Sequence, residues 1–105
     1  MSSREEILDR IRSSVLNIYP DAKIFLYGSR ARETAGRDSD WDLLILLSME
    51  KVGIDIEKEI SYPLYDLEFE IGQIISPMIY SEIEWETKYQ FTPFYKNIKK
   101  EGLRL

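Results

Sequence analysis

The sequence predicts an α/β (α+β) fold in which helices back one face of a small mixed β-sheet. Two observations lead to this prediction. Segments whose apolar residues recur at helical spacing alternate with short, nearly continuous apolar runs that are typical of buried strands. The chain has 105 residues, enough for one hydrophobic core and too few for two. We therefore expect a single domain over residues 1–105.

The first half of the chain predicts the order helix, strand, helix and strand. Ser3 begins a capping-box pattern, and the amphipathic periodicity that follows it ends at Pro20. Strands are predicted over residues 22–27 and 40–47. A short helix is expected between them, over residues 29–35.

The middle of the chain predicts a helix and a third strand. Apolar residues repeat at helical spacing over residues 52–67, where Pro63 is expected to kink or divide the helix. Residues 71–79 are typical of a strand, in which Gly72 and Pro77 indicate a bend or an edge position.

Two short helices are predicted in the last quarter. One covers residues 81–88, and the other covers residues 92–102. Thr92 is its expected N-cap, Pro93 its first helical residue and Gly102 its stop.

Composition excludes several kinds of chemistry. The absence of cysteine removes disulfides and thiolate sites, and the absence of histidine removes the commonest general base and most transition-metal sites. Chemistry must then use carboxylates, hydroxyls, amines and hard cations such as Mg²⁺. A net charge of −5 argues against a nucleic-acid substrate.

No apolar stretch is long enough to span a bilayer, so no membrane partner is expected. The acidic N-terminus lacks the basic region of a secretory signal, and we expect a cytoplasmic protein. The sequence leaves the oligomeric state open.

Gly28 and Ser29 lie where a strand is expected to turn into a helix. Unpaired backbone amides at such a turn favour phosphate, glycine permits close approach, and the Ser29 hydroxyl can add a hydrogen bond. Taken alone, the pair indicates an ordinary turn and helix cap rather than a phosphate site.

Asp40 and Asp42 are spaced by two residues at the start of an apolar strand, so their carboxylates point to the same face while Trp41 turns towards the core. Two adjacent carboxylates repel each other unless a cation lies between them, and Mg²⁺ prefers oxygen ligands. The alternative, which the pair taken alone favours, is that Ser39 or Asp40 caps a turn and Asp42 is a solvated strand end.

The chain resembles the signature of the polymerase-beta-type nucleotidyltransferase superfamily. The matching features are Gly28-Ser29, ten intervening residues and Asp40-Trp41-Asp42. The short chain and the motifs G-S-R-A-R and S-D-W-D-L are similar to those of the minimal nucleotidyltransferases (MNT), single-domain proteins of about this size. The resemblance covers residues 24–80.

The resemblance implies a nucleotidyltransferase fold and Mg²⁺-dependent transfer of AMP, or another nucleoside monophosphate, from ATP or another triphosphate to a hydroxyl acceptor. It implies that Gly28 and Ser29 bind the outer phosphates and that the catalytic residues Asp40 and Asp42 ligate two Mg²⁺ ions. It also implies a protein partner of the HEPN toxin type, for which minimal members act as antitoxins.

Three arginines near the motif are candidates for phosphate contacts. Arg30 and Arg32 are the predicted nucleotide-binding pair, and Arg37 lies in the loop before the carboxylates. Ion pairs with nearby acids such as Glu33 or Asp38 are the alternative.

Active members of the superfamily carry a third acidic residue on the next strand of the sheet. An alignment anchored on the apolar pair before Ser76 places Gln73 at that position, with Glu70 as the nearest acid and Glu68 farther away. An amide can ligate Mg²⁺ but cannot act as a base.

This departure leaves a second function open, that of a catalytically impaired module that binds nucleotide or serves as a partner-binding antitoxin. Aromatic residues near the C-terminus could form its interface, although in a small domain such residues more often form core. They are Tyr80, Trp85, Tyr89, Phe91, Phe94 and Tyr95.

Overall fold

The structure, a computed structural model, describes residues 3–32, 36 and 39–105. Its helices are α1 (Arg4–Ile18), α2 (Ile54–Ile71), α3 (Glu82–Lys88) and α4 (Pro93–Glu101). Its strands are β1 (Lys23–Tyr27), β2 (Trp41–Leu47), β3 (Ile75–Ser81) and β4 (Leu103–Arg104). Within these described parts of the chain, no helix combines the length and apolar character that crossing a membrane requires.

The four strands form one mixed sheet in the order β3-β2-β1-β4. β1 runs antiparallel to β2 and β4, whereas β2 and β3 are parallel. A parallel pair needs a crossover connection, and α2 supplies it. The predicted α/β (α+β) fold with a small mixed sheet is confirmed.

Helices cover both faces of the sheet, so the expectation of helices on one face was wrong. Alternate residues of β2 point to opposite faces, and both sets are apolar and buried. Leu43, Ile45 and Leu47 pack with α1 and α2. Leu44 and Leu46 pack with Trp85 of α3 and Ile98 of α4.

The C-terminal aromatic residues form the second of these cores. Trp85 is 2% exposed and contacts the rings of its neighbours at centroid distances of 5.2 to 6.1 Å. The rings that contact it are those of Tyr80, Tyr89, Phe94 and Tyr95. Phe91, in contrast, is 80% exposed. The core expectation is confirmed for Trp85, while the four rings around it are partly buried and pack against that core.

The predicted helix starts are confirmed at three helices. Ser3 accepts a hydrogen bond from the Glu6 amide at the start of α1. Thr92 caps α4 in the same way, with Pro93 as its first residue, and the helix ends before Gly102. Ser81 caps α3. These side chains satisfy amides that a helix leaves unpaired.

The prediction placed the end of α2 too early. The helix continues undivided through Pro63 to Ile71, and Gly72 ends it in the left-handed conformation with φ +69°. Glycine adopts this conformation at helix C-termini without strain. β3 therefore begins at Ile75 rather than at residue 71.

The helix predicted over residues 29–35 is present only as a 3-10 turn over Gly28–Arg30, and residues 33–35 lie outside the described part of the chain. A single turn carries little of the dipole of a full helix. Within the described residues, the turn at Gly28 therefore offers a phosphate little of the attraction of a full helix N-terminus.

Candidate active site

The turn at Gly28 touches the strand that carries Asp42. Gly28 has φ +73°, and a β-carbon at this position would lie 2.6 Å from Asp42 Oδ2. Glycine is therefore required here both by the backbone conformation and by the space that the carboxylate occupies. The two halves of the predicted motif, Gly28-Ser29 and Asp40-Trp41-Asp42, meet in the folded chain.

Asp40 and Asp42 act on each other electrostatically, as their spacing predicts. Burial raises the pKa of Asp42, and the charge of Asp40 raises it further. Asp40 lies just before β2, and its Oδ2 accepts a hydrogen bond of 3.5 Å from the Ser76 hydroxyl. A cation between the carboxylates would relieve their repulsion.

Asp42 lies on β2 between one paired residue on β1 and one on β3. It is paired with Tyr27 on β1 and with Ser76 on β3. Burial, reinforced by the charge of Asp42, raises the pKa of Tyr27 to about 12. Tyr27 is accordingly a neutral phenol at physiological pH and adds no charge to the site.

Trp41 is fixed on the other face of the sheet. It is 1% exposed, and its indole Nε1 donates a 2.7 Å hydrogen bond to Gln73 Oε1. The Arg30 guanidinium lies 4.3 Å from the centroid of the Trp41 ring. Since Trp41 separates the two carboxylates in the chain, its fixed position constrains both of them.

Arg30 contacts three groups around Trp41, namely the Ser39 carbonyl, the Gln73 side chain and the Trp41 ring itself. Its Nη2 donates to the Ser39 carbonyl at 2.8 Å and to Gln73 Oε1 at 3.0 Å, and its Nε also reaches the Ser39 carbonyl. It thus ties the turn after β1 to the residue before Asp40. The structure places Arg30 against the Trp41 face, away from the face that bears Asp42.

Neither Gln73 nor Glu70 occupies the position of a third carboxylate, so that assignment was wrong. Because α2 extends to Ile71, Gln73 lies in the turn before β3, and Glu70 forms an ion pair with Arg10 on the helix surface. Glu68 accepts a hydrogen bond from the Ile75 amide. The residue beside Asp42 on the next strand is Ser76.

Of the other two candidate arginines, Arg32 forms an ion pair with a helix residue and Arg37 lies outside the described residues. Arg32 is half exposed and forms an ion pair with Glu101 of α4 at 3.2 Å. Arg37 falls in the part of the chain that the structure does not describe. Ser29 is partly exposed within the turn that touches Asp42.

Comparison with known families decides the assignment. The family model of the nucleotidyltransferase domain matches residues 8–105, nearly the whole chain. The chain belongs to this family. The superfamily predicted from the Gly28 and Asp40 motifs is thereby confirmed. Among proteins with curated functions, none matches the chain.

Two solved structures have the fold of this nucleotidyltransferase domain. One is a toxin–antitoxin crystal structure with AMP-PNP, which is 16% identical, with a TM-score of 0.65 over 91% of this chain and 69% of the other. The second is a point mutant of the toxin–antitoxin MntA-HpeT, also 16% identical, with a TM-score of 0.59 over 100% and 72% of the two chains.

The two carboxylates of this nucleotidyltransferase domain could bind a metal ion that enters together with a phosphate-bearing ligand. Among the residues that the structure describes, no group of three or more acidic, histidine or cysteine side chains could hold an ion. Mg²⁺ is commonly held by one or two carboxylates together with substrate phosphates. Asp40 and Asp42 are two carboxylates that could bind Mg²⁺ in this way, and both are partly buried.

Proposed function

We propose that this protein is a Mg²⁺-dependent nucleotidyltransferase that transfers AMP from ATP to a hydroxyl group on a protein partner, such as a HEPN toxin. The main support is the contact between Gly28 and Asp42. It brings the turn that carries Gly28 and Ser29 against Asp42, a carboxylate that also feels the charge of Asp40.

Each residue of the cluster has a role in this proposal. Gly28 leaves room for the Asp42 carboxylate to lie against the turn, and the Ser29 hydroxyl donates to a phosphate of the nucleotide. Asp40 and Asp42 would hold Mg²⁺, which supplies charge neutralisation for the phosphates and for the developing negative charge. Arg30 and Gln73 position Trp41 and thereby both carboxylates.

The reaction forms one bond and breaks one. The acceptor oxygen bonds to the α-phosphorus of ATP, the bond from that phosphorus to the oxygen bridging to the β-phosphate breaks, and pyrophosphate leaves. The hydroxyl proton passes to solvent water, because the residue beside Asp42 is Ser76 and not a carboxylate. We therefore expect slow turnover.

The choice of nucleotide and partner in this proposal has its support in the similar structures. One of them is a toxin–antitoxin with AMP-PNP, an ATP analogue, and both contain a toxin and an antitoxin. These support ATP as the substrate and an antitoxin role, with the toxin as the acceptor of AMP. Asp42→Asn should abolish transfer of the labelled α-phosphate of ATP to such a toxin.

Calorimetric titration of ATP with and without Mg²⁺ tests the site directly. We expect Mg²⁺-dependent binding that the double variant Asp40→Asn/Asp42→Asn loses. Asp55→Asn/Asp66→Asn makes the same change in charge on the exposed surface of α2 and should bind as the wild type does. Equal binding by both double variants would contradict the site.

One observation favours a second candidate function. Ser76 stands where active superfamily members are expected to have an acid. The second candidate is a nucleotide-binding antitoxin that neutralises its partner by contact alone. Nucleotide binding without any transfer to the toxin, in wild type and Asp42→Asn alike, would select it.

A further inference from the structure

An exposed apolar surface runs along α2 and the outer edge of β3. Tyr62, Tyr65 and Phe69 follow each other at spacings of three and four residues, so they share one face of α2. They are 56%, 46% and 90% exposed. Met78 of β3 is 40% exposed and lines a groove together with Tyr65. We call these four residues the β3-edge surface.

The charge around this surface is negative. α2 carries six carboxylates and one lysine, Lys58. Three of those carboxylates bond within the chain, to Tyr19, Ile75 and Arg10. Among the described residues, neither Glu57 nor Asp66 forms an ion pair with a lysine or arginine. Within that same part of the chain, Glu57 is the single charged residue that lines the groove.

A second copy of this chain does not fit the surface. Two such helices facing each other would bring carboxylates against carboxylates. Pairing between strand edges is also hindered at the start of β3, since the Ile75 amide already donates to Glu68 at 2.8 Å and Pro77 has no N–H. The surface therefore offers mainly side chains to a partner.

We propose that the β3-edge surface docks a protein partner whose contact face is basic and apolar, with lysine or arginine side chains beside leucine-like ones. In the groove, the stem of such a cation packs on Pro77 and Met78. Its charged head meets Glu57 and the ring of Tyr65. Exposed aromatic residues supply the anchors of the contact.

The surface adjoins the carboxylates. Met78 lies two residues beyond Ser76 on β3, which is about 7 Å along a strand, and Ser76 is paired with Asp42. A protein docked there brings its own side chains next to Asp42. Resting on the proposed function, we infer that the docked partner is also the one that supplies the acceptor hydroxyl.

Two helical peptides with the same leucine pattern test the docking. Each is about 18 residues long, or about five turns, and the remaining positions are lysine in one peptide and glutamate in the other. We expect the lysine peptide to bind at least about tenfold more tightly, with an affinity that falls as salt is added. Equal binding of the two peptides would overturn the proposal.

Three variants test whether the lysine peptide binds at the β3-edge surface. Tyr62→Ser/Tyr65→Ser/Phe69→Ser should weaken binding of the lysine peptide by at least about tenfold. Glu57→Lys should do the same without removing any apolar group. Phe91→Ser, at an exposed ring on the turn before α4, should bind as the wild type does. Binding lost to the same extent in Phe91→Ser, or unchanged in the triple variant, would contradict the assignment.

Sedimentation and ATP titration separate the remaining outcomes. A wild-type dimer that the triple variant dissociates would assign the surface to self-association and overturn the proposal. The triple variant should bind ATP and Mg²⁺ as the wild type does. If the wild type binds no ATP but binds the lysine peptide through this surface, the proposed function fails and the docking surface stands.

Discussion

Gly28 and Asp42 are in such close contact that a single methyl group at Gly28 would lie 2.6 Å from the Asp42 carboxylate. The backbone at Gly28 is also in the left-handed region, with φ +73°. The backbone conformation and the nearby carboxylate therefore both require glycine at this position, and one substitution tests both requirements.

Gly28→Ala should destabilise the protein and displace Asp42. The left-handed backbone alone costs about 1–2 kcal/mol for a residue with a β-carbon. Gly72→Ala is the matched control, because Gly72 has φ +69° but nothing within 4 Å of the added carbon. Both variants should melt earlier than the wild type, whereas only Gly28→Ala should lose Mg²⁺-dependent ATP binding. Intact ATP binding in Gly28→Ala would contradict the site.

Ser76→Asp should increase catalysis. It places a third carboxylate beside Asp42, where it can take up the proton of the acceptor hydroxyl, an effect on the order of 100-fold in rate. Without Mg²⁺ the added charge should lower the melting temperature. Ser76→Asn has the same size without the charge and should not accelerate transfer. The measurement is the rate of AMP transfer to the toxin; an equal rate in both variants would refute the expected role.

Gln73→Leu should remove the hydrogen bond that holds the Trp41 indole in place. The indole N–H is left without its partner in a buried position, which costs about 1–3 kcal/mol. The change should appear in tryptophan fluorescence and in the melting temperature. Gln90→Leu changes a glutamine far from Trp41 in the chain, on the turn before α4, and should leave both unaltered. A Gln73→Leu variant with wild-type stability would show that the hydrogen bond contributes nothing.

Asp42→Asn should stabilise the protein in the absence of metal. The folded state raises the pKa of Asp42 above its ordinary 3.8, so at neutral pH folding holds a charge that the surroundings disfavour. Near neutral pH the substitution removes this cost. The gain should shrink as pH falls below the folded pKa and disappear below 3.8, where both states are protonated. Thermal melts of both proteins across this range provide the measurement, and a gain that grew at low pH would contradict the assigned cause.

The sequence predicted those parts of the fold that local patterns specify. The capping residues of α1 and α4 were located because a serine or threonine before a helical pattern can accept a hydrogen bond from an unpaired amide of the first turn. The action of the Asp40 charge on Asp42 agrees with their spacing of two residues.

What the sequence did not predict depends on contacts that are distant in the chain. Gly72 was interpreted as a bend in a strand, although glycine after a helical pattern also signals a helix end. That error shifted β3 and moved the third acidic position from Ser76 to Gln73. β4, only two residues long, exists because it pairs with β1, and no local pattern marks so short a strand.

Burial of β2 on both faces has a consequence for motion at the carboxylates. Central strands in such sheets open only when the whole protein unfolds, so amides of β2 should be among the slowest to exchange with solvent deuterium. Asp42 belongs to this strand, whereas Asp40 precedes it in a loop. The site therefore combines one carboxylate in the most persistent part of the fold with one in a loop that Arg30 ties to the turn after β1.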